Sequence, residues 1–258
     1  MKEREIEPGT PEINKKYSIV VDRKGPYLVY GHPLLKQQFI VQNDEGSSWS
    51  YRDGVEYDMN DEPTALCRCG ASANKPYCDG AHLNTNWDPS LTADNIPLLK
   101  DADVVDGPTL ELTDNEKYCA FARFCDAYGK VWNLVEESDD PEARKLTIRE
   151  ANYCPAGRLK AWDKDKGEFI ENKLEPSLVL LEDPQERCSG PLFVRGGIPI
   201  DDTEGVRYEL RNRVTLCRCG ASSNKPFCDG THVSIRFRDG LPGLPVGWDK
   251  VKWSESVN

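Results

Sequence analysis

The feature that most constrains this chain is a segment of sixteen residues that occurs twice. Residues 67–82 read CRCGASANKPYCDGAH and residues 217–232 read CRCGASSNKPFCDGTH, so three of the sixteen positions differ. The similarity continues upstream, where Gly25 corresponds to Gly190, and the first copy has about fifteen more residues between this glycine and its cysteines. Repeated small units usually pack on one another to bury a face that neither can bury alone. The repeat therefore predicts two related modules that pack together.

Each module is predicted to consist of short strands that lead into a cysteine loop. The segments SIVVD, PYLVY, PTALCRCG and RVTLCRCG are rich in β-branched and aromatic residues or run directly into the first two cysteines. Asp79 and Asp229 are expected to cap a short helix that carries the histidine of each copy. We place the modules at 14–88 and 176–238. The predicted fold class is α+β, with two small β-rich modules forming an intramolecular pseudo-dimer around an α+β insert.

The repeat carries soft metal donors in the pattern C-x-C-x8-C-x3-H. The candidate ligands are Cys67, Cys69, Cys78 and His82 in the first copy, and Cys217, Cys219, Cys228 and His232 in the second. Three thiolates and one imidazole suit either zinc or an iron–sulfur cluster. Structural zinc loops usually separate their first two ligands by two to four residues, whereas a two-iron cluster divides its ligands into two pairs. The spacing favours a two-iron cluster and leaves structural zinc as the alternative.

A different unit is predicted between the modules, over 108–175, after a linker at 89–107. Its stretch from Asp139 to Ala151 is predicted as a helix, because acidic residues precede Pro141 and apolar residues recur at helical spacing. The segments GKVWNLV and GRLKAW are predicted as short strands.

This middle unit carries three cysteines of its own. Cys119 and Cys125 are followed at a distance by Cys154, which precedes a proline. Bacterial ferredoxins use C-x2-C-x2-C with a remote Cys-Pro, and this alignment puts Ala122 where the second cysteine would stand. The pattern predicts a [3Fe–4S] cluster, or a [4Fe–4S] cluster whose fourth ligand comes from elsewhere, for which Cys188 is the candidate. Free or buried cysteines are the alternative.

Two resemblances sharpen these predictions. The string C-x-C-x2-S-x3-P-x-C-D-G-[AT]-H resembles the CDGSH iron–sulfur family, and its double occurrence resembles the two-motif, Miner-type members. This resemblance implies one [2Fe–2S] cluster for each motif, held by its three cysteines and its histidine. The middle unit, through C-x5-C, CPAGRL and the helix between them, resembles the divergent single-cluster ferredoxin domain.

Composition limits the compartment and the partners. With 33 basic and 44 acidic residues the net charge is −11, and such a surface repels phosphate backbones, so we expect no nucleic-acid partner. No apolar run reaches about 18 residues, and the first residues carry no apolar signal segment, so we expect no membrane span and a cytoplasmic location. In a reducing compartment, clustered cysteines are more often metal ligands than disulfides.

Function follows from these cofactors. Nucleotide-binding and hydrolase motifs are missing from the sequence, so we predict no catalytic residue and no enzyme activity. We expect one-electron transfer, with cluster transfer or redox sensing as the alternative and a zinc scaffold as a minor one. The expected partner is a redox protein or an apo-acceptor protein. We expect a monomer with an internal pseudo-twofold, whose tail at 239–258 is anchored through Trp248 and Trp253.

Overall fold

The computed structural model describes residues 13–243, so Trp248, Trp253 and the predicted anchoring of the tail lie outside the described residues. The strands are β1 (Ser18–Val21), β2 (Tyr27–Tyr30), β3 (Leu34–Gln42), β4 (Ser48–Tyr57), β5 (Thr64–Leu66), β6 (Asp103–Asp106), β7 (Leu110–Asp114), β8 (Leu159–Asp163), β9 (Glu168–Ile170), β10 (Ser177–Asp183), β11 (Cys188–Arg195), β12 (Ile200–Asp202) and β13 (Arg213–Leu216). The α-helices are α1 (Val131–Glu136), α2 (Pro141–Tyr153) and α3 (Thr231–Ser234). Short 3-10 turns occupy Ala81–Asn84, Leu98–Asp101, Glu116–Tyr118 and Phe124–Asp126.

Two sheets are shared between the repeats. The first has the order β12-β1-β2-β5, in which β12 of the second repeat pairs in parallel with β1, Ile200 lying opposite Ile19. The second has the order β13-β11-β10-β3-β4, in which β3 of the first repeat pairs in parallel with β10, Leu34 lying opposite Ser177. Each repeat thus gives its third strand to the sheet of the other. The predicted pseudo-dimer is confirmed.

The strands predicted from β-branched and aromatic runs are confirmed. In β1 and β2 the side chains alternate between buried and half-buried, because successive residues point to opposite faces of a sheet. Ile19 and Val29 lie in the same hydrophobic cluster as Leu178 and Val194 of the second repeat and Leu112 of the middle unit. The three units therefore share one continuous core.

The extra residues of the first repeat form β4, which extends the larger sheet toward the middle unit. The Tyr51 hydroxyl donates to the carbonyl oxygen of Tyr153 at the end of α2 (2.7 Å). The Arg149 guanidinium donates to the carbonyl oxygen of Trp49 (2.8 Å) and lies 3.7 Å from the centre of its ring. The insertion fixes the position of α2 on the sheet.

The middle unit is a four-stranded antiparallel sheet, in the order β6-β7-β8-β9, packed against α1 and α2. The predicted helix forms at α2, where the Asp140 carboxylate accepts hydrogen bonds from the backbone N–H groups of Glu142 and Ala143. GRLKAW forms most of β8, as predicted. The strand predicted for GKVWNLV is wrong: this segment forms most of α1, which buries Val131 and Val135, four residues apart on one helical face.

The segment predicted as a linker, 89–107, packs against the second repeat and joins the sheet of the middle unit. The N–H groups of Thr92 and Ala93 donate to the carbonyl oxygen of Lys225 in the second repeat (2.8 and 2.9 Å). Its last residues form β6 at the edge of the middle sheet. Across residues 13–243, no helix is long and apolar enough to span a bilayer.

Candidate metal centres

The four predicted ligands of the first repeat lie in two pairs. Cys67 directly follows strand β5, and the chain turns after it, so that the Sγ atoms of Cys67 and Cys69 are 3.8 Å apart. Cys78 lies three residues before the 3-10 turn that carries His82, and its Sγ is 3.6 Å from His82 Nδ1. The backbone holds these pairs together, because the N–H of Cys78 donates to the carbonyl oxygen of Ala65 beside β5 (2.8 Å).

The second repeat has the same arrangement. Cys217 Sγ lies 3.7 Å from Cys219 Sγ, and Cys228 Sγ lies 3.4 Å from His232 Nδ1 on α3. Among residues 13–243, no three His, Cys, Asp or Glu side chains converge around a point that would hold a single metal ion. The donors of both repeats are therefore arranged as two pairs.

Within each C-x-C pair, one thiol ionises before the other. The hydrogen bond from the Cys69 thiol lowers the pKa of Cys67 to about 6. Burial acts in the opposite direction, and the N–H groups of Ser72 and Gly70 lower this pKa further. The same contacts lower the pKa of Cys217 to about 7. The same contact raises the pKa of Cys69 and of Cys219, so each pair loses its first proton more easily than its second.

The aspartate after the third cysteine closes the loop, although it does not cap the helix as predicted. The N-cap positions are Gly80 and Gly230, both in the left-handed region. The Asp79 carboxylate instead accepts hydrogen bonds from the N–H groups of Ala73 (2.8 Å) and Ala81 (3.0 Å), and so joins the two halves of the ligand loop. These bonds lower the pKa of Asp79.

The arginine between the first two cysteines is a structural residue that the sequence argument missed. Arg68 is buried, and its guanidinium donates to the carbonyl oxygens of Gly25 (2.9 Å) and Asp22 (2.9 Å). Arg218 donates in the same way to Gly190 (2.9 Å). The signal was present, because both copies read C-R-C and Gly25 already corresponded to Gly190. These cations fix the cysteine loop to the first hairpin of its repeat.

The two ligand loops contact each other across the pseudo-twofold. A Cβ placed on Gly70 would lie 2.6 Å from the carbonyl oxygen of Cys219, and one placed on Gly220 would lie 2.8 Å from the carbonyl carbon of Cys69. The Trp87 indole N–H donates to the carbonyl oxygen of Gly220 (3.2 Å). Both loops reach this approach because they have glycine where the backbones meet.

The two sites differ in exposure despite their nearly identical sequences. His232 is 3 % exposed and lies beside the buried Cys228. His82 is half-buried, and Leu83 beside it is 78 % exposed. Burial and the nearby Arg218 lower the pKa of His232 to about 4. The first site faces solvent and the second lies inside the protein.

The predicted ligands of the middle unit lie close enough to a buried cation, Arg158, to act on its charge. Cys154 follows the last residue of α2, and Cys119 and Cys125 lie on the loop that joins β7 to α1. Burial opposes the charge on Arg158, but the thiols of all three cysteines raise its pKa, together with Asp114, which pairs with it at 3.3 Å. The motif CPAGRL contains this arginine, and its position four residues after Cys154 was the only signal in the sequence. The structure places this arginine in the electrostatic field of the three sulfurs.

The loop between Cys119 and Cys125 has an unusual backbone. Phe121 (φ 54°) and Arg123 (φ 60°) adopt the left-handed region that residues other than glycine rarely enter. Such conformations cost about 1–3 kcal/mol each and concentrate at binding and catalytic sites. The strain is consistent with a loop shaped around a ligand.

Cys188 lies in a different environment from the other three. It begins β11 and lines a cavity of about 250 Å³ together with Phe39, Asp239 and Leu241. Burial, with the carboxylates of Asp183 and Glu186, raises the pKa of Cys188 to about 12. Its role as a fourth ligand stays a prediction.

Comparison with protein families follows the same division of the chain. Residues 24–83 and 189–233 each match the family described as iron-binding zinc finger, CDGSH type. Residues 105–164 match the family described as divergent 4Fe-4S mono-cluster. The chain carries two CDGSH domains around one divergent mono-cluster domain. Both resemblances seen in the sequence are thereby confirmed.

The CDGSH domains and the mono-cluster domain are iron–sulfur binding domains. The first CDGSH match ends one residue after His82, and the second ends one residue after His232. No curated protein and no solved structure matches the chain in the corresponding comparisons.

Proposed function

We propose that this protein carries single electrons between three iron–sulfur centres. Each CDGSH domain would hold a [2Fe–2S] cluster through its three cysteines and one histidine. The observation that supports this assignment best is the arrangement of the donors as two pairs in each domain. A two-iron cluster takes two protein ligands on each iron, whereas structural zinc takes four around one ion.

The mono-cluster domain would hold a [3Fe–4S] or a [4Fe–4S] cluster through Cys119, Cys125 and Cys154. In a cubane-type cluster each iron takes one thiolate, so the three thiols that act on Arg158 would bind three of its irons. Such clusters supply reversible one-electron chemistry when bound. The chain contributes thiolate ligands, the buried Arg158 cation and a strained loop. No residue is assigned a catalytic role.

Cluster delivery is the second candidate, and the exposure of the first CDGSH site favours it. A half-buried His82 beside the exposed Leu83 leaves these ligands within reach of an acceptor. Holo-protein mixed with an apo-ferredoxin separates the two functions. Electron transfer predicts that the holo-protein keeps its iron while a redox partner protein is reduced or oxidised; delivery predicts that intact [2Fe–2S] clusters appear on the acceptor.

The first experiment is a visible spectrum with an iron count on the purified protein. The proposal expects charge-transfer absorption and about seven or eight iron atoms per chain, two for each CDGSH site and three or four for the middle site. A colourless protein with stoichiometric zinc would contradict the proposal and show that the sites hold structural zinc.

Replacing Cys154 by serine should remove the middle cluster and leave both CDGSH centres spectroscopically intact. Its thiol belongs to a domain with its own sheet and helices, so the CDGSH ligand pairs keep their geometry. The measurement is low-temperature EPR of oxidised and reduced protein. Cys188→Ser is the comparison: a four-iron signal that becomes a three-iron signal would make Cys188 the fourth ligand, and an unchanged signal would exclude it. Loss of the CDGSH signals in Cys154→Ser would contradict the separate middle site.

Replacing Arg158 by methionine should lower the reduction potential of the middle centre. A cation stabilises the more negative, reduced form of a cluster. A unit charge on the order of 10 Å away, at an effective dielectric constant of about 20, contributes about 1.7 kcal/mol, or roughly 70 mV for one electron. Arg158→Lys retains the charge and should keep most of the native potential. The measurement is an EPR-monitored redox titration, and equal potentials in all three proteins would remove Arg158 from this role.

A further inference from the structure

The two CDGSH loops offer a matched comparison, because the sequence Cys-Asp-Gly occurs at the same place in both. Gly80 and Gly230 have almost the same backbone conformation, with φ of 82° and 84°. A Cβ placed on Gly80 would meet no atom within 4 Å. One placed on Gly230 would lie 3.1 Å from the carbonyl oxygen of Cys119 and 3.3 Å from Cβ of Phe121. The loop of the middle site therefore covers the second CDGSH site, and the equivalent face of the first site is open.

Other contacts join the second CDGSH domain to the middle site. The Asn224 side-chain amide donates to the carbonyl oxygen of Lys117 (3.0 Å), and the Tyr118 ring packs edge-on against Phe227 at 5.2 Å. From β13, which leads into Cys217, the Arg213 guanidinium donates to the carbonyl oxygen of Cys154 (2.7 Å). The backbones of two predicted middle-site ligands are thus in contact with the second CDGSH domain.

The second site also meets the first, through the approach of Gly70 and Gly220. The Tyr27 hydroxyl, from the first repeat, strengthens this junction by donating to the carbonyl oxygen of Cys217 (2.7 Å). The 3-10 turn of the first site, Ala81–Asn84, contains no buried residue. The first site is therefore bounded by the second site on one side and by solvent on another.

We infer that the three centres form one series, in which the second CDGSH site lies between the first CDGSH site and the middle site. This inference rests on the proposed function, because it needs a cluster at each site. The first CDGSH site is then the solvent-facing end, where a redox partner exchanges electrons. The second site is the internal relay, which explains why two nearly identical motifs are buried to different extents.

The test measures magnetic interaction rather than activity. One paramagnetic cluster accelerates the spin relaxation of another, and the effect falls steeply with distance. Cys78→Ser should leave the second and middle clusters, and Cys228→Ser should leave the first and middle clusters. Each variant is examined by EPR power saturation with and without the further change Cys154→Ser, which removes the middle cluster.

In the Cys78→Ser protein, removal of the middle cluster should change the half-saturation power of the remaining CDGSH signal severalfold. In the Cys228→Ser protein the same change should be small. Equal changes in both proteins, or a larger one in the Cys228→Ser protein, would overturn the series. A native protein without iron–sulfur signals would instead reject the proposed function, and the series with it.

A second measurement does not use the cysteine variants, so it tests the series even if those variants do not fold. In the native holo-protein, pulsed dipolar spectroscopy should give one cluster–cluster distance that exceeds the other two, and Gly230→Ala should alter the coupling that involves the middle cluster. Gly80→Ala is the matched control, since it has the same φ and open space around it, and should leave all couplings unchanged. Three similar distances, or the same response to both alanine variants, would overturn the series.

Discussion

Replacing Gly220 by alanine is expected to abolish both CDGSH centres, although Gly220 is not a ligand. The added Cβ would overlap the carbonyl group of Cys69, with its carbon 2.8 Å away, and would lie 3.0 Å from the indole nitrogen of Trp87. The obstacle is mostly backbone, so a rotamer change cannot relieve it. The φ of +77° adds a second cost. Strain at a left-handed position costs about 1–3 kcal/mol, and overpacking costs about 1–3 kcal/mol more.

Because Gly220 and Cys69 belong to different repeats, separating their loops should displace ligands of both sites. The measurement is the iron content and visible spectrum of the purified variant, with its midpoint of thermal unfolding. Gly46→Ala is the control, because Gly46 has φ of +83° but nothing within 4 Å of an added Cβ. It should lose roughly 1 kcal/mol and keep both clusters. Equal losses of stability and iron in the two variants would show that the positive φ, and not the contact between the loops, prevents a side chain at Gly220.

The sequence predicted strands β1 and β2 and helix α2 correctly, because local patterns determine them. Alternating apolar residues specify β1 and β2, and Asp140-Pro141 marks the start of α2. The prediction of a strand for GKVWNLV was wrong. Its β-branched residues favour a strand, whereas burial of Val131 and Val135 against the middle sheet favours a helix.

The difference between the two CDGSH sites could not be predicted from the motifs. His82 and His232 follow the same Cys-Asp-Gly sequence, yet His82 is half-buried and His232 is buried near Arg218 and Asp183. The surroundings of the two loops also differ at Gly230, against which Cys119 and Phe121 lie although they are more than a hundred residues away along the chain. The exchange of β3 and β12 between repeats is equally non-local. Motif spacing carries no information about such contacts, whereas the pairing of donors within each loop is local and was predicted.

Arg213 is expected to be the residue whose loss most strongly separates the middle site from the second CDGSH domain. It stands where the first repeat has Pro63, so it is one of the differences between the copies. Its guanidinium donates to the carbonyl oxygens of Ala151 (2.6 Å) and Cys154 (2.7 Å) at the end of α2. It also pairs with the buried Glu171 at 2.6 Å.

The pKa of Glu171 shows how strongly the charges of Arg213 and Lys160 act on this carboxylate. Burial alone would raise its pKa, but Arg213 and Lys160 lower the pKa of Glu171 to about 2. A carboxyl whose pKa is lower in the folded state stabilises the fold above its unfolded pKa, near 4.5, and loses that contribution as the pH falls toward 2. At neutral pH the contribution is fully present. Removing Arg213 or Lys160 reduces this contribution to the free energy of unfolding and leaves the buried Glu171 carboxylate with less positive charge beside it.

Arg213→Met should therefore lower the free energy of unfolding at pH 7 by about 3–5 kcal/mol, the usual cost of breaking a buried ion pair from one side. The middle cluster should be lost first, because Cys154 loses a donor that holds its carbonyl group, while the first CDGSH centre keeps its spectrum. The measurement is urea unfolding at pH 7 followed by circular dichroism, with EPR of the variant as purified. Arg207→Met is the control, since Arg207 pairs with Asp201 near the surface (2.6 Å), and such pairs contribute about 1 kcal/mol or less. If both variants unfolded at the native urea concentration with all three signals intact, Arg213 would not join the middle site to the second CDGSH domain.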